Sequence, residues 1–150
     1  MTAILESILT AVQTQIQGLD LTDIPDASVY VQKVPSTRNF HPADFPAILI
    51  ASGTPKHNPA KGTNLRDQIE YQVGVFIVDA DDQDQTLNRD KYLTWYEEIV
   101  KSFRTPRLSG VSSVVNSYVA PGAVVDPSWF EAGEYHAGIT LWFISWEART

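Results

Sequence analysis

Between residues 67 and 80 the chain alternates with a period of two: Ile69, Tyr71, Val73, Val75 and Ile77 fall on one face, Gln68, Glu70 and Gln72 on the other. Successive strand side chains point to opposite sides, so this is the pattern of a β-strand with one buried and one wet face. The wet face turns apolar at Phe76 and Val78, which predicts that something covers the far end of the strand. A strand of this kind cannot stand alone. It needs neighbours in a sheet and a second layer against its apolar face.

The rest of the chain supplies both. Residues 2–17 place Ile4, Leu5, Ile8, Leu9, Val12 and Ile16 at helical spacings, with Thr2 as the expected N-cap and Gly18 where helices often stop. A loop containing Pro25 leads to a short strand over 29–34, and the apolar run 46–52 reads as a buried strand. Residues 53–66, rich in Gly, Pro, Asn and Lys, predict a long exposed loop or hairpin tip. A second helix is expected over 85–103, with Tyr92, Trp95, Tyr96, Ile99 and Phe103 along one stripe. Strands over 111–119 and 135–147 follow, separated by a loop that carries Trp129 and Phe130. Strands joined by short non-helical links tend to pair antiparallel. The expected fold is therefore α+β: a mostly antiparallel β-sheet with two α-helices packed against it, in one domain spanning residues 1–150. A chain of 150 residues is long enough to bury such a core without disulfides or a structural metal.

No catalytic constellation is assembled in the sequence. Cysteine is absent, which removes thiolate chemistry and Cys-type zinc sites. His41, His57 and His136 occur singly, without the local spacing that places two ligands on one face. The acidic run Asp79, Asp81, Asp82, Asp84 offers carboxylates to a hard cation, but lacks the glycine and distal glutamate of an EF-hand loop. Capping of the following helix by Asp82 or Asp84 explains it more simply. There is no G-x-S-x-G elbow, P-loop or dinucleotide fingerprint, so no catalytic residue, metal or cofactor is expected. Residues 1–18 lack the basic start and cleavage site of a signal peptide, and no run approaches the roughly 20 apolar residues of a membrane span. Residence in the cytosol, away from membranes, is expected. A formal charge of −7 opposes broad docking on phosphate backbones.

Two features ask for a partner. Lys56, Lys61 and Arg66 place a basic group on the long loop, where loop stability does not require it. In the last strand Tyr135, Ala137, Ile139, Leu141 and Phe143 line one face, while Trp142, Ile144 and Trp146 line the other, so both faces are apolar toward its end. Either a helix or folded-over loop covers the second face, or the tryptophans form a subunit interface, where Trp is enriched. Phe76 and Val78 join them as interface candidates.

The element order, the segments VYVQKVP and FPAILIASG, and above all the C-terminal stretch DPSWFEAGEYHAGITLWFISWEAR resemble the tail-terminator and tail-completion proteins of long-tailed bacteriophages. The resemblance covers nearly the whole chain. It implies a hexameric ring of this chain at the top of the tail tube, ending tube polymerisation and docking to the head–tail connector or stopper protein. It also implies a virion location after assembly in the host cytoplasm, and a channel past which DNA slides without sequence-specific binding. The loop over 53–66 matches by position one that such rings use for contacts, making Lys56, Lys61 and Arg66, with Trp129 and Phe130, the loop contact candidates. Alternatives are a head-side connector or stopper, a tail tube subunit, a small metal-dependent hydrolase using Asp79, Asp81, Asp82 and a histidine, or a small-ligand domain with an aromatic pocket around Trp95 and Trp142.

Overall fold

The computed structural model describes residues 3–58, 61–63, 65–80, 88–105, 108–120, 124–125 and 133–148. The elements in chain order are α1 (Ile4–Gln17), β1 (Val29–Val31), β2 (Ala47–Ser52), β3 (Lys56–Asn58), β4 (Arg66–Ala80), α2 (Arg89–Ser102), β5 (Val114–Val119), β6 (Val124–Val125) and β7 (Glu134–Ala148). The fold is α+β, as expected: one mostly antiparallel sheet with both helices packed against it.

The alternating segment forms β4, and β7 runs antiparallel to it along its whole length, from Arg66 opposite Ala148 to Ala80 opposite Glu134. At about 3.3 Å per residue, this ladder of two 15-residue strands is about 50 Å long. On one side β2 and then β1 extend the sheet, and β3 continues the line of β2 along the start of β4; on the other side lie β5 and β6.

Both helices cover the same face. Ile8, Val12 and Ile16 of α1 and Tyr92, Trp95 and Ile99 of α2 meet Ile48, Ile50 and the odd-numbered residues of β4 and β7 in one core cluster. Polar ties fix the layer. The Gln15 side chain donates from Nε2 to the Ser102 carbonyl at 2.8 Å, joining α1 to α2, and the Trp95 indole donates to the Thr22 carbonyl at 2.9 Å. The Tyr92 hydroxyl donates to Asp79 at 2.9 Å while its ring stacks on Tyr135 at 4.0 Å.

Several local expectations are corrected. β1 ends at Val31 rather than 34, and it pairs with β2 in parallel, because the intervening segment crosses over the sheet instead of turning back. Of the loop and hairpin readings of 53–66 the hairpin holds: Lys56–Asn58 pair antiparallel with Glu70, Ile69 and Gln68, backbone pairing making a strand without any apolar alternation. Val124–Val125, inside the other expected loop, add to β7 at Gly138 and Ala137. α1 begins at Ile4 with Ala3 in the cap position and no side-chain cap. Asn88, in the left-handed region at φ 63°, precedes α2, so neither Asp82 nor Asp84 occupies the cap position. Both lie outside the described residues, as do Thr2 and Asp81.

A candidate assembly interface on the open sheet face

Opposite the helices, the sheet's second face divides into two halves. Toward the end of β4, Ala47, Leu49 and Val78 are fully buried in a second small cluster, with Tyr30, Phe40, Phe45 and Phe76 packed against them. The cover comes from the chain itself. The segment between β1 and β2 brings the Phe40 ring to 5.2 Å from Tyr30 and 5.5 Å from Phe45. Its Thr37 hydroxyl donates to the Glu134 carboxylate at 3.1 Å, reaching across to β7. Val78 therefore presents no side-chain surface to a second molecule. Phe76 stays partly exposed, its ring 5.4 Å from that of His136.

The middle of this face is thin. Gly74 and Gly138 sit there, and a side-chain carbon at Gly74 would fall 2.9 Å from the Phe76 ring, so the absence of a side chain lets that ring lie back over the strand.

The other half is the open one. Strand alternation places Trp142, Ile144 and Trp146 on the outer face, each partly exposed, and among the described residues none of them joins either core cluster. Register sets their neighbours: Gln72, Trp142 and Tyr118 form one row across the sheet, and Lys56, Glu70, Ile144 and Asn116 the next; Gln68 lies beside Trp146. The rings of Tyr118 and Trp142 are nearly parallel, 15° apart at a centroid distance of 6.3 Å, and Tyr118 is 43% exposed. Burial, and then the charge of Glu70, raise the Tyr118 hydroxyl above the ordinary tyrosine range, so the carboxylate belongs to the same patch. Sequence reasoning missed Tyr118, although its place on the alternate face of β5 was the available signal.

Lys56, Lys61 and Arg66 are all exposed and adjoin this patch, because the β3–β4 hairpin hangs from the end of the ladder that carries Trp146. Leu65, also unanticipated, is 79% exposed beside them. Trp129 and Phe130 lie outside the described residues.

The chemical alternatives fare differently. Among the described residues no group of three or more His, Asp or Glu side chains could hold a metal ion. His41 precedes a short 3₁₀ turn, His57 lies on β3 with its Nε2 3.5 Å from Asp67, and His136 sits beside Phe76, on three separate elements. Trp95 is buried on the helix side and Trp142 lies on the opposite face of the sheet, so the two cannot line one pocket. No described helix is long and apolar enough to cross a membrane.

No protein-family model matches the sequence, and no curated protein matches it. Among solved structures, a chain from one described as the virion of a native gene transfer agent particle superposes with a TM-score of 0.58. The match takes in 99% of this chain and 100% of that one at 12% identity. At that identity the likeness is one of fold, and it extends end to end.

Proposed function

We propose that this chain is a structural, non-enzymatic component of a phage-like virion. It forms a ring, of six copies by its resemblance to tail terminators, at the top of the tail tube, where it ends tube polymerisation and joins the tail to the head connector. The observation that carries the reading is the open half of the outer sheet face: an aromatic strip of Tyr118, Trp142, Ile144 and Trp146 on a domain whose core is already closed by its helices. Contiguous exposed apolar surface on a folded domain marks an interaction site. The full-length fold likeness to a chain of a gene transfer agent virion supports the virion setting.

The acidic balance of the chain, −7 overall, fits the same reading, since like charge lets DNA pass a channel without adsorbing. In this account the tail tube protein contacts one side of the ring and the connector or stopper the other, and the chain resides in the virion after cytoplasmic assembly. Deleting the gene and imaging the resulting particles tests this: tails of uncontrolled length without attached heads are expected. Intact tails on DNA-free or leaking heads would point instead to a head-side stopper. Loss of all tails would indicate a tube subunit, and fully normal particles would sink the virion reading.

A further inference from the structure

β5 is an edge strand, closed toward Ser117 and open at Val119. Ala120 donates its N–H to the Thr140 carbonyl at 2.9 Å, and Val119, Tyr118 and Ser117 lie opposite Leu141, Trp142 and Phe143. Bonds to the partner strand fall on alternate residues of an antiparallel ladder. Ala120 and Tyr118 therefore bond toward β7, while Ser117 and Val119 turn their N–H and C=O away from the sheet.

The chain itself closes the Ser117 end. Asn116 Oδ1 accepts the Ser117 N–H at 2.9 Å, and the Ser117 hydroxyl donates to the Thr105 carbonyl at 2.6 Å, holding the turn after α2 against the edge. Val119 has no such cover: among the described residues nothing accepts its N–H. Unpaired edges are ordinarily protected by charge, proline or a bulge. Here the bulge between Val114 and Asn116 and the Thr105 contact protect one end alone.

Beside Val119 an open groove of about 340 Å³ runs between β5 and α2, walled by Tyr96 and Val100 on the helix and by Val119 and Ala120 on the strand, with Arg104 in its lining. Leu93, 56% exposed, lies on the same stripe of α2 and extends the apolar wall. Arg104 is exposed and joins none of the ion pairs among the described residues. The Glu97 carboxyl is lowered first by its hydrogen bond to Lys101, at 2.8 Å, and least by Arg104.

These features specify one kind of occupant. An outward N–H and C=O take up a polypeptide backbone laid alongside β5. Alternate side chains of such a strand enter the groove, and its wall favours apolar ones. The guanidinium takes a carboxylate.

We propose that the α2–β5 groove docks an extended, acidic and apolar segment of a partner protein, which adds a strand beside Val119, seats apolar side chains against Tyr96 and Val100, and pairs a carboxylate with Arg104. The groove shares only Tyr118 with the aromatic strip. The inference therefore goes beyond the ring reading and stands whether or not copies join through that strip.

The test selects a displayed library of random dodecapeptides on the purified full chain. Enriched sequences are expected to alternate apolar residues and to carry an Asp or Glu at a constant offset from them. A synthetic peptide of the enriched sequence should lose about tenfold or more in affinity for Arg104→Glu, where a charge-assisted hydrogen bond becomes a repulsion. Exchanging the peptide's acid for lysine should restore binding to that variant. Val119→Pro removes the outward N–H and leaves the bonds to β7 in place, so it should abolish binding with the urea midpoint close to wild type. Should that variant unfold, the exposed Arg104→Glu carries the test alone.

An absence of enrichment over the Arg104→Glu chain, enrichment without an acidic residue, or binding that survives Arg104→Glu overturns the proposal. So does binding lost in Trp146→Ala and kept in Arg104→Glu, which would put the peptide on the aromatic strip. Sedimentation of the same samples reads self-association separately, so failure of the groove and failure of the ring are distinct results.

Discussion

Tyr118 and Trp142 stand side by side on the outer face of β5 and β7, their ring planes 15° apart and their centroids at 6.3 Å, with one carboxylate, Glu70, close enough to influence the phenol. The pair lies at the head of a strip whose other members, Ile144 and Trp146, follow at alternate positions along β7. The opposite side of the same strand holds Leu141 and Phe143, fully buried under the helices. Adjacent residues of one strand are therefore divided between the buried core on one side and the open outer face on the other, the face we propose for association.

That division predicts a contrast between two tryptophans. Trp95→Ala empties a site that is 1% exposed and should cost about 3–5 kcal/mol of stability. Trp146→Ala removes a partly exposed ring and should cost no more than about 1–2 kcal/mol, while sharply weakening self-association. Urea unfolding and sedimentation of both variants provide the comparison; equal losses of stability would make Trp146 ordinary core.

On the hairpin, Lys61→Glu should leave the unfolding free energy within about 0.5 kcal/mol of wild type, as expected of an exposed position, and should impair assembly. Unchanged tail length and infectivity of particles carrying the variant would remove the hairpin from the interface.

Ser145 predicts a gain. Its hydroxyl is fully buried and has no hydrogen-bond partner among the described residues, an arrangement that costs about 1–3 kcal/mol relative to a satisfied group. Ser145→Ala should raise the thermal midpoint or leave it unchanged. A clear loss of stability would show that the hydroxyl has a partner, such as a buried water.

Alkaline pH should destabilise the domain. Tyr71 is held well above the ordinary value of 10.0 by burial and by its hydrogen bond to, and repulsion from, Glu147, whose Oε2 accepts its proton at 2.8 Å. Burial also raises Tyr135. A pKa raised in the folded state means that the native protein keeps protons the unfolded chain has lost, so this stabilisation is complete below pH 10 and declines above it. The urea midpoint should fall from about pH 10 upward, and less steeply in Tyr71→Phe; parallel profiles would remove Tyr71 as a contributor.

The parts of this fold written in side-chain periodicity were legible beforehand. The alternation at Ile69, Tyr71, Val73, Val75 and Ile77 is the trace of helices packed on one face, and the double-sided pattern at Leu141–Trp142–Phe143–Ile144 announced a second apolar face that needs cover, from the chain itself or from a partner. What depends on distant backbone was not. Lys56–Asn58 become a strand because β4 offers an unpaired edge, not because of their own side chains. The burial of Val78 depends on where Phe40 and Phe45 land after a crossover whose sequence has no period. The parallel pairing of β1 with β2 follows from that same crossover. The site was half visible for this reason: Trp142, Ile144 and Trp146 could be named from alternation, whereas their proximity to Leu65 and the basic hairpin needed the register of β3, β4 and β7.

The most direct test of the central claim is an electron cryomicroscopy reconstruction of the assembled particle at side-chain resolution. The account predicts that Tyr118, Trp142, Ile144 and Trp146 lie buried between neighbouring copies of this chain in a closed ring at the head-to-tail junction. A ring in which that strip faces solvent or the channel, with copies joined through other surfaces, would contradict it.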